Sequence, residues 1–243
     1  MSAIETKALS KHFGDKKAVD CLDLKVHEGE LFSLLGVNGA GKTTTIKMLS
    51  GLLLPSSGSA RIFGMDLGTQ AREIKPLLGI SPQETAVAPN LTVRENLELM
   101  AGIYGFSRKE AKEKAEQMME EFSLGEVAKS RAKTLSGGWQ RRLSIAMALI
   151  SQPKLLFLDE PTLGLDVLAR RELWRIIESL KGKVTVILTT HYMEEAEALS
   201  DRVGIMAKGK LLVCGTPREL MEQAGETRFE EAFIKLAGGE ANG

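Results

Sequence analysis

Short, almost unbroken apolar runs alternate along this chain with longer amphipathic stretches. Residues 31–35 (LFSLL), 155–158 (LLFL) and 184–188 (VTVIL) hold few polar positions, which predicts strands covered on both faces, as in a parallel sheet flanked by helices. Each is followed by polar residues, at the sheet edge where open α/β folds build their sites. Residues 4–9, 19–26 and 59–63 alternate instead: Val19, Cys21, Leu22, Leu24 and Val26 are interrupted by Asp20, Asp23 and Lys25. That period predicts an antiparallel sheet beside the main core. From Leu91 to about Phe122 the pattern becomes helical and highly charged, LTVRENLELMAGIYG and then SRKEAKEKAEQMMEEF, with Ser107 placed to cap the second helix. Both charge signs are mixed there, which marks a solvated helix face rather than a binding patch. The closing AGGEANG reads as a frayed tail.

Composition narrows the function classes. At 243 residues and 43% hydrophobic content the chain can fold as one large unit or as a core with a small subdomain. Its 32 basic residues cancel 32 acidic ones, so no net field draws nucleic acid, and no nucleic-acid partner is expected. Cys21 and Cys214 lie far apart without metal-like spacing, as in a reducing compartment. The opening MSAIETKALSKHF lacks an apolar stretch of signal-peptide length, and no run is long enough to span a bilayer. A membrane role then requires another chain to supply the spanning helices, with this one peripheral on the cytoplasmic face, where ATP is available.

The chemistry concentrates at three places. Gly36-Val37-Asn38-Gly39-Ala40-Gly41-Lys42-Thr43 satisfies GxxxxGK[ST] directly after a buried strand and before the helix-forming TTTIKMLSG, which begins within it and continues with Thr44. Triphosphate is a concentrated anion: inward-turned backbone N–H groups and a helix N-terminus cradle it, Lys42 supplies a mobile cation and the Thr43 hydroxyl a ligand for Mg²⁺. The strand LLFL ends in Asp159-Glu160, carboxylates that can divide the work, Asp159 on Mg²⁺ and Glu160 as general base for water. Finally, Leu135-Ser136-Gly137-Gly138-Trp139 opens a helix whose apolar residues Leu143, Ala146, Met147 and Ile150 recur at helical spacing. Ser136 and the glycines offer a second anion site at its start, or simply a capped, flexible turn.

The order GVNGAGKT, Gln83, LSGG, LLFLDEP, GLD and His191 resembles the complete motif set of an ATP-binding-cassette nucleotide-binding domain, over residues 1 to about 220. The resemblance implies an α/β fold: a phosphate-loop NTPase core with a mostly parallel sheet, an N-terminal antiparallel β-subdomain and an inserted helical subdomain. Residues 1–83 and 153–220 would form the core with the β-subdomain, 84–152 the helical subdomain with LSGG, and 221–243 a C-terminal helix and tail. It implies a head-to-tail homodimer or pseudo-dimer, in which Ser136, Gly137, Gly138 and Asp166 of one copy close on the ATP of the other. Phe13 corresponds to the residue that stacks on adenine, Gln83 to one that reaches Mg²⁺ and the attacking water, and His191 to one that contacts the γ-phosphate. The stretch THYMEEAEALSDRVGIMAKGKLLVCGTP and the final helix FEEAFIKLAG are similar to ATPase subunits of the drug- and polysaccharide-export branch. The expected partner is therefore an integral membrane permease, docked on residues 83–105, including Tyr104.

Three positions depart from the family pattern: Trp139 where glutamine is usual, Leu163 where serine is frequent and Val167 where proline is common. They bear on dimer closure and remove no phosphate ligand. The competing reading is a non-transport cassette of DNA repair or translation, but coiled-coil, zinc-binding or tandem insertions are missing. A phosphate-loop kinase or GTPase would leave LSGG and His191 without purpose, and no guanine-reading NKxD occurs.

Overall fold

The computed structural model describes residues 1–238. In chain order, β1 (Ser2–Phe13), β2 (Lys16–Leu22), β3 (Lys25–His27) and β4 (Leu31–Leu35) lead into α1 (Lys42–Leu49). Then come β5 (Ser57–Ile62), β6 (Met65–Asp66), α2 (Ala71–Ile74) and β7 (Leu78–Ser81), followed by the helices α3 (Val93–Ile103), α4 (Arg108–Glu121) and α5 (Gly137–Leu149). The chain closes with β8 (Leu155–Asp159), α6 (Val167–Glu178), β9 (Thr185–Thr190), α7 (Met193–Leu199), β10 (Arg202–Ala207), β11 (Lys210–Gly215), α8 (Pro217–Ala224) and α9 (Phe229–Gly238).

The main sheet has six strands in the order β11-β10-β4-β9-β8-β7, all parallel except the edge strand β11. Its central strands β4, β8 and β9 are buried throughout and mostly apolar because both faces are covered. Leu156, Leu158, Val186 and Leu188 pack with α3, α4, α5 and α6 residues, whereas Leu155, Phe157, Ile187, Phe32 and Leu34 pack with α1 and the second sheet. Burying each such side chain contributes about 1.5–3 kcal/mol. The second sheet, β2-β1-β5-β6 with β3 also on β1, is antiparallel. A third, smaller cluster seats α7, α8 and α9 on Leu35, Val203 and Ile205.

Residues 19–26, expected as one strand, form two. Cys21 takes a positive φ of 51°, and the Thr6 side chain bridges the break by donating to the Leu22 carbonyl at 2.7 Å and accepting from the Leu24 N–H at 2.8 Å. The Asp23 carboxylate adds a bond from the Ala8 N–H at 2.7 Å. These tertiary bonds fix the break beside the adjacent apolar pair Cys21-Leu22, where the alternation slips phase. The hairpin β10–β11 carries no distinctive spacing and was not foreseen. At the C-terminus the expected boundary after residue 220 falls inside α8, and FEEAFIKLAG forms α9. Of the expected tail, Ala237 and Gly238 end α9, and residues 239–243 lie outside the described residues.

Ser107 caps α4 as expected, in a reciprocal capping box with Glu110. Thr92 caps α3 in the same way with Glu95. Between β7 and α3 the chain runs as an irregular loop, and its shape is set by Asn96, which is fully buried. The Asn96 amide accepts from the Ala88 N–H at 2.7 Å and donates to the carbonyls of Ala88 at 3.1 Å and Thr92 at 2.9 Å. Asn96→Ala, which orphans these groups, is expected to lower the unfolding free energy by about 1–3 kcal/mol; urea denaturation with an unchanged slope would register it as a lower midpoint.

Candidate active site

The phosphate loop fills the interval between β4 and α1. Its entry is held close to β10: a Cβ on Gly36 would stand 2.3 Å from the Met206 carbonyl oxygen, so only glycine fits. Its exit, Gly41, has φ 105°, and a Cβ there would meet the Ala18 carbonyl oxygen at 2.6 Å. Between them, the loop curls around the Lys42 ammonium. Lys42 is 4% exposed; it donates to the carbonyls of Gly36 at 2.7 Å and Val37 at 3.3 Å, and stands 3.3 Å from Glu160 Oε1. The cation expected to be mobile is thus anchored, with a carboxylate partner.

Asp159 and Glu160, at the end of β8, face different neighbours. The Thr43 hydroxyl donates to Asp159 Oδ1 at 3.0 Å, and the Thr189 hydroxyl donates to the same oxygen at 2.5 Å. The backbone turns at Glu160, whose φ is 47°, a costly conformation for a residue with a side chain. Two bonds stabilise it: the Glu160 N–H donates to the Thr189 carbonyl at 3.0 Å and to its hydroxyl at 3.1 Å. The turn aims Glu160 back toward α1, where Oε1 meets Lys42 and Oε2 meets His191 Nδ1 at 2.6 Å. His191 follows β9 directly, and its ring packs on Tyr192 with centroids 4.1 Å apart.

These groups line a cleft of about 350 Å³. Asn38, Gly39, Ala40, Gly41, Lys42, Thr43, Thr44, Gln83, Glu160 and His191 all contribute to its wall, together with Lys16, Ala18 and the departing Leu163. Gly36 lies behind the wall, and its carbonyl faces Lys42. Phe13 is 52% exposed at the end of β1, paired with the cleft residue Lys16, and its ring takes Lys11 Nζ at 5.3 Å. Gln83 is fixed through its backbone: Arg141, buried on α5, donates to the carbonyls of Pro82 at 2.7 Å and Gln83 at 2.5 Å. Burial pulls the Arg141 pKa down from the usual arginine value.

Ser136, Gly137, Gly138 and Asp166 do not line this cleft. Ser136 is the N-cap of α5 with no side-chain capping bond, so its hydroxyl is not spent on its own helix. Asp166 caps α6, accepting from Leu168 N–H and Ala169 N–H at 2.9 Å each. The two helix starts pack together: a Cβ on Gly138 would lie 3.1 Å from Ala169 Cβ, and one on Gly137 would lie 3.6 Å from Leu165 Cδ2. Trp139 follows Gly138 on α5 and faces a groove shared with Glu172, Arg175 and Ile176 of α6. Its ring carries the Arg142 guanidinium at 4.6 Å, and Arg142 pairs with Glu172 of α6. Val167 is the first residue of α6, a position that suits proline but does not need it. One chain therefore presents two separate surfaces, a phosphate cleft and a paired helix-start face.

Sequence reasoning missed Thr189 and Arg141. Each had a faint signal: a threonine pair closing an apolar strand, and an arginine among the apolar positions of α5. The cysteines were read correctly as ordinary: among the described residues Cys21 is exposed, Cys214 half-buried, and both are free.

The ABC transporter family model matches residues 19–163. The chain belongs to the ABC transporter family. It is 44% identical over 241 residues to the probable multidrug ABC transporter ATP-binding protein YbhF of Escherichia coli, a match covering 97% of this chain and 42% of that protein. It is 42% identical over 224 residues to the daunorubicin/doxorubicin resistance ATP-binding protein DrrA of Streptomyces peucetius, covering 92% of this chain and 68% of that one. The chain thus spans less than half of the first relative. Among solved structures, the ATP-binding subunit of an ABC transporter superimposes with a TM-score of 0.84 at 30% identity, over 96% of this chain and 99% of that one. A dimeric ATP-binding cassette in a post-hydrolysis state with ADP and Pi superimposes with a TM-score of 0.79 at 26% identity, over 88% and 98% of the two chains. The expected fold, a cassette ATPase core of α/β type, is the one found.

Gly41→Ala places a side chain at positive φ and against Ala18, a strain of about 1–3 kcal/mol. It is expected to weaken ATP binding by this ABC family chain about tenfold or more, with the fold retained. Titration with a fluorescent ATP analogue, beside a circular-dichroism spectrum, measures both.

Proposed function

We propose that this chain is the ATP-binding and hydrolysing subunit of an ABC transporter, an exporter, working as a head-to-tail pair that drives a separate membrane permease. The carrying observation is the Lys42–Glu160–His191 cluster in the phosphate cleft, with the Ser136–Gly138 and Asp166 face outside it. A pair related head to tail brings the second surface of one copy onto the cleft of the other. That a similar cassette with ADP and Pi is dimeric supports pairing of two copies.

In the proposed cycle Lys42 exchanges one anion for another. It neutralises Glu160 within the chain, and an incoming triphosphate takes its place as partner, which releases Glu160 Oε1 for a water. His191 keeps its Nδ1–H bond to Oε2 and so holds the base in place; in the doubly protonated form, in which both ring nitrogens donate, Nε2–H is left for the γ-phosphate. Phe13 offers its exposed ring to adenine, and Gln83 stands at the cleft wall beside the water. The donors also fit Mg²⁺. Thr43 and Asp159 supply hard oxygens 3.0 Å apart, with Gln83 on the same wall, and the described residues hold no larger cluster of His, Cys, Asp or Glu that would cage a metal by itself. Magnesium characteristically binds through one or two such groups plus phosphate oxygens; when bound, it supplies charge neutralisation of the phosphates.

For the partner, the features between Gln83 and Gly105 support a permease contact. Leu99, Ile103 and Tyr104 are exposed along the end of α3, beside a groove of about 320 Å³ lined by Leu52, Leu78, Ile80, Met100, Tyr104 and Met147. Helices of the permease would seat there, at the cytoplasmic face. No helix of the described residues is long and apolar enough to cross a membrane. The named relatives are a probable multidrug ABC transporter ATP-binding protein and a drug-resistance ATP-binding protein, which favours this reading over a DNA-repair or translation cassette. The division into 1–83 with 153–220, 84–152 and 221–243 is retained as the proposed domain scheme.

Glu160→Gln keeps the shape of the base and removes its basicity, so hydrolysis is expected to fall about 10²- to 10⁴-fold while ATP still binds. Size-exclusion chromatography of this variant should then show a monomer-to-dimer shift on adding MgATP. Hydrolysis at the wild-type rate would overturn the base assignment; ATP binding without a shift would overturn dimer closure by this chain alone. Lys42→Ala is expected to weaken ATP binding about 10- to 100-fold, measured by equilibrium titration.

A further inference from the structure

Glu195 plays no part in the reading above, yet it lies beneath all of it. The third residue of α7, it is 0% exposed. Its Oε1 accepts from the Thr162 hydroxyl at 2.8 Å and from the Trp174 indole N–H at 3.0 Å. Burial pushes the carboxyl pKa up, opposed by the hydroxyls of Thr190 and Thr162, the Trp174 N–H and the charge of Arg170. Its Oε2 has no hydrogen-bond partner. A group added only for stability would be apolar here, because a buried carboxyl is costly unless its bonds are required.

The carboxyl joins three elements, each bearing or adjoining a residue of the site. Thr162 lies two positions beyond Glu160, in the loop that runs on to Asp166. Glu195 itself belongs to α7, which begins two residues after His191. Trp174 belongs to α6, whose N-cap is Asp166. No backbone hydrogen bond joins Thr162 to α6 or to α7, so the carboxyl of Glu195 is the polar link among them.

We propose that Glu195 is a positioning residue for ATP hydrolysis, tying the Glu160 loop, helix α6 and its own helix α7, which follows His191, into one unit that holds the Glu160–His191 contact. The proposal rests on the assignment of Glu160 as base. Glu195 lines no part of the phosphate cleft; it acts through Thr162 on the loop of the base and through its own helix α7 on the seat of the histidine. Small displacements of a base from its water have large kinetic effects, and binding of the phosphates, which depends on the loop at 36–43, is not moved.

The test is a set of variants assayed for MgATP hydrolysis. Glu195→Ala is expected to lower kcat about tenfold or more, with KM for ATP held within about twofold. Glu195→Gln, which retains an oxygen for Thr162 and Trp174, is expected to recover most of that loss. Thr162→Val removes one donor at equal volume and should reproduce the fall in kcat; it decides the matter if Glu195→Ala does not fold. A folded Glu195→Ala with wild-type kcat overturns the proposal, as does a Gln variant as impaired as the Ala variant, or a KM that rises in step with the lost kcat. Glu160→Gln run alongside separates the two ideas: an active Glu160→Gln sinks the base assignment, whereas an inactive one beside a fully active Glu195→Ala sinks only the positioning role.

Discussion

Two adjacent carboxylates at the end of a buried strand set the main constraint on this molecule. Asp159 and Glu160 are both nearly sealed from solvent, and like charges in such a place persist only where hydrogen-bond donors or a cation compensate them. The fold meets that demand by separating them. The positive φ of Glu160 sends the second side chain away from the first, toward Lys42 and His191, while Asp159 is left with Thr43 and Thr189. Strand order follows from the same requirement. β9 lies between β4 and β8, so that Thr189 stands opposite Asp159 and His191 emerges beside Glu160, while the phosphate loop rises from the strand on the other side. Without β9 between β4 and β8, Asp159 would lose Thr189 and Glu160 would lose His191.

What was legible in the sequence was local. The phosphate loop, the Asp159-Glu160 pair and the LSGG helix start each announce their chemistry within a few residues, and the buried strands are legible because apolar runs have little other use. What was not legible depends on residues brought together by the fold. The break between β2 and β3 is dictated by Thr6, which is distant in sequence. Thr189 is needed only because β9 happens to lie against β8, and Arg141 only because α5 crosses the loop after β7. The pairing of Lys42 with Glu160 escaped for the same reason: either residue alone reads as a free charge waiting for a ligand.

The site residues also sort into two faces for a physical reason. A helix N-terminus can cradle an anion only if nothing of its own chain blocks the approach, and the start of α5 is kept open, with the Ser136 hydroxyl unspent and glycines packed sideways on α6. The first helix, α1, is filled by its own phosphate loop and lysine. One terminus is thus built for a ligand held by its own chain, the other for a ligand that its own chain does not hold.

The grip of Arg141 on the Pro82 and Gln83 carbonyls then acquires a meaning at the level of the pair. In the proposed head-to-tail pair, helix α5 would begin at the face that meets a neighbour's nucleotide, while the loop at Gln83 borders the chain's own cleft. The guanidinium fastens one to the other, so a tilt of α5 on closing over the neighbour's ATP would be carried to the wall of the chain's own cleft. In a head-to-tail pair this makes occupancy a shared variable: the two nucleotides are thermodynamically linked, and the energy of filling one site is felt in the affinity of the other.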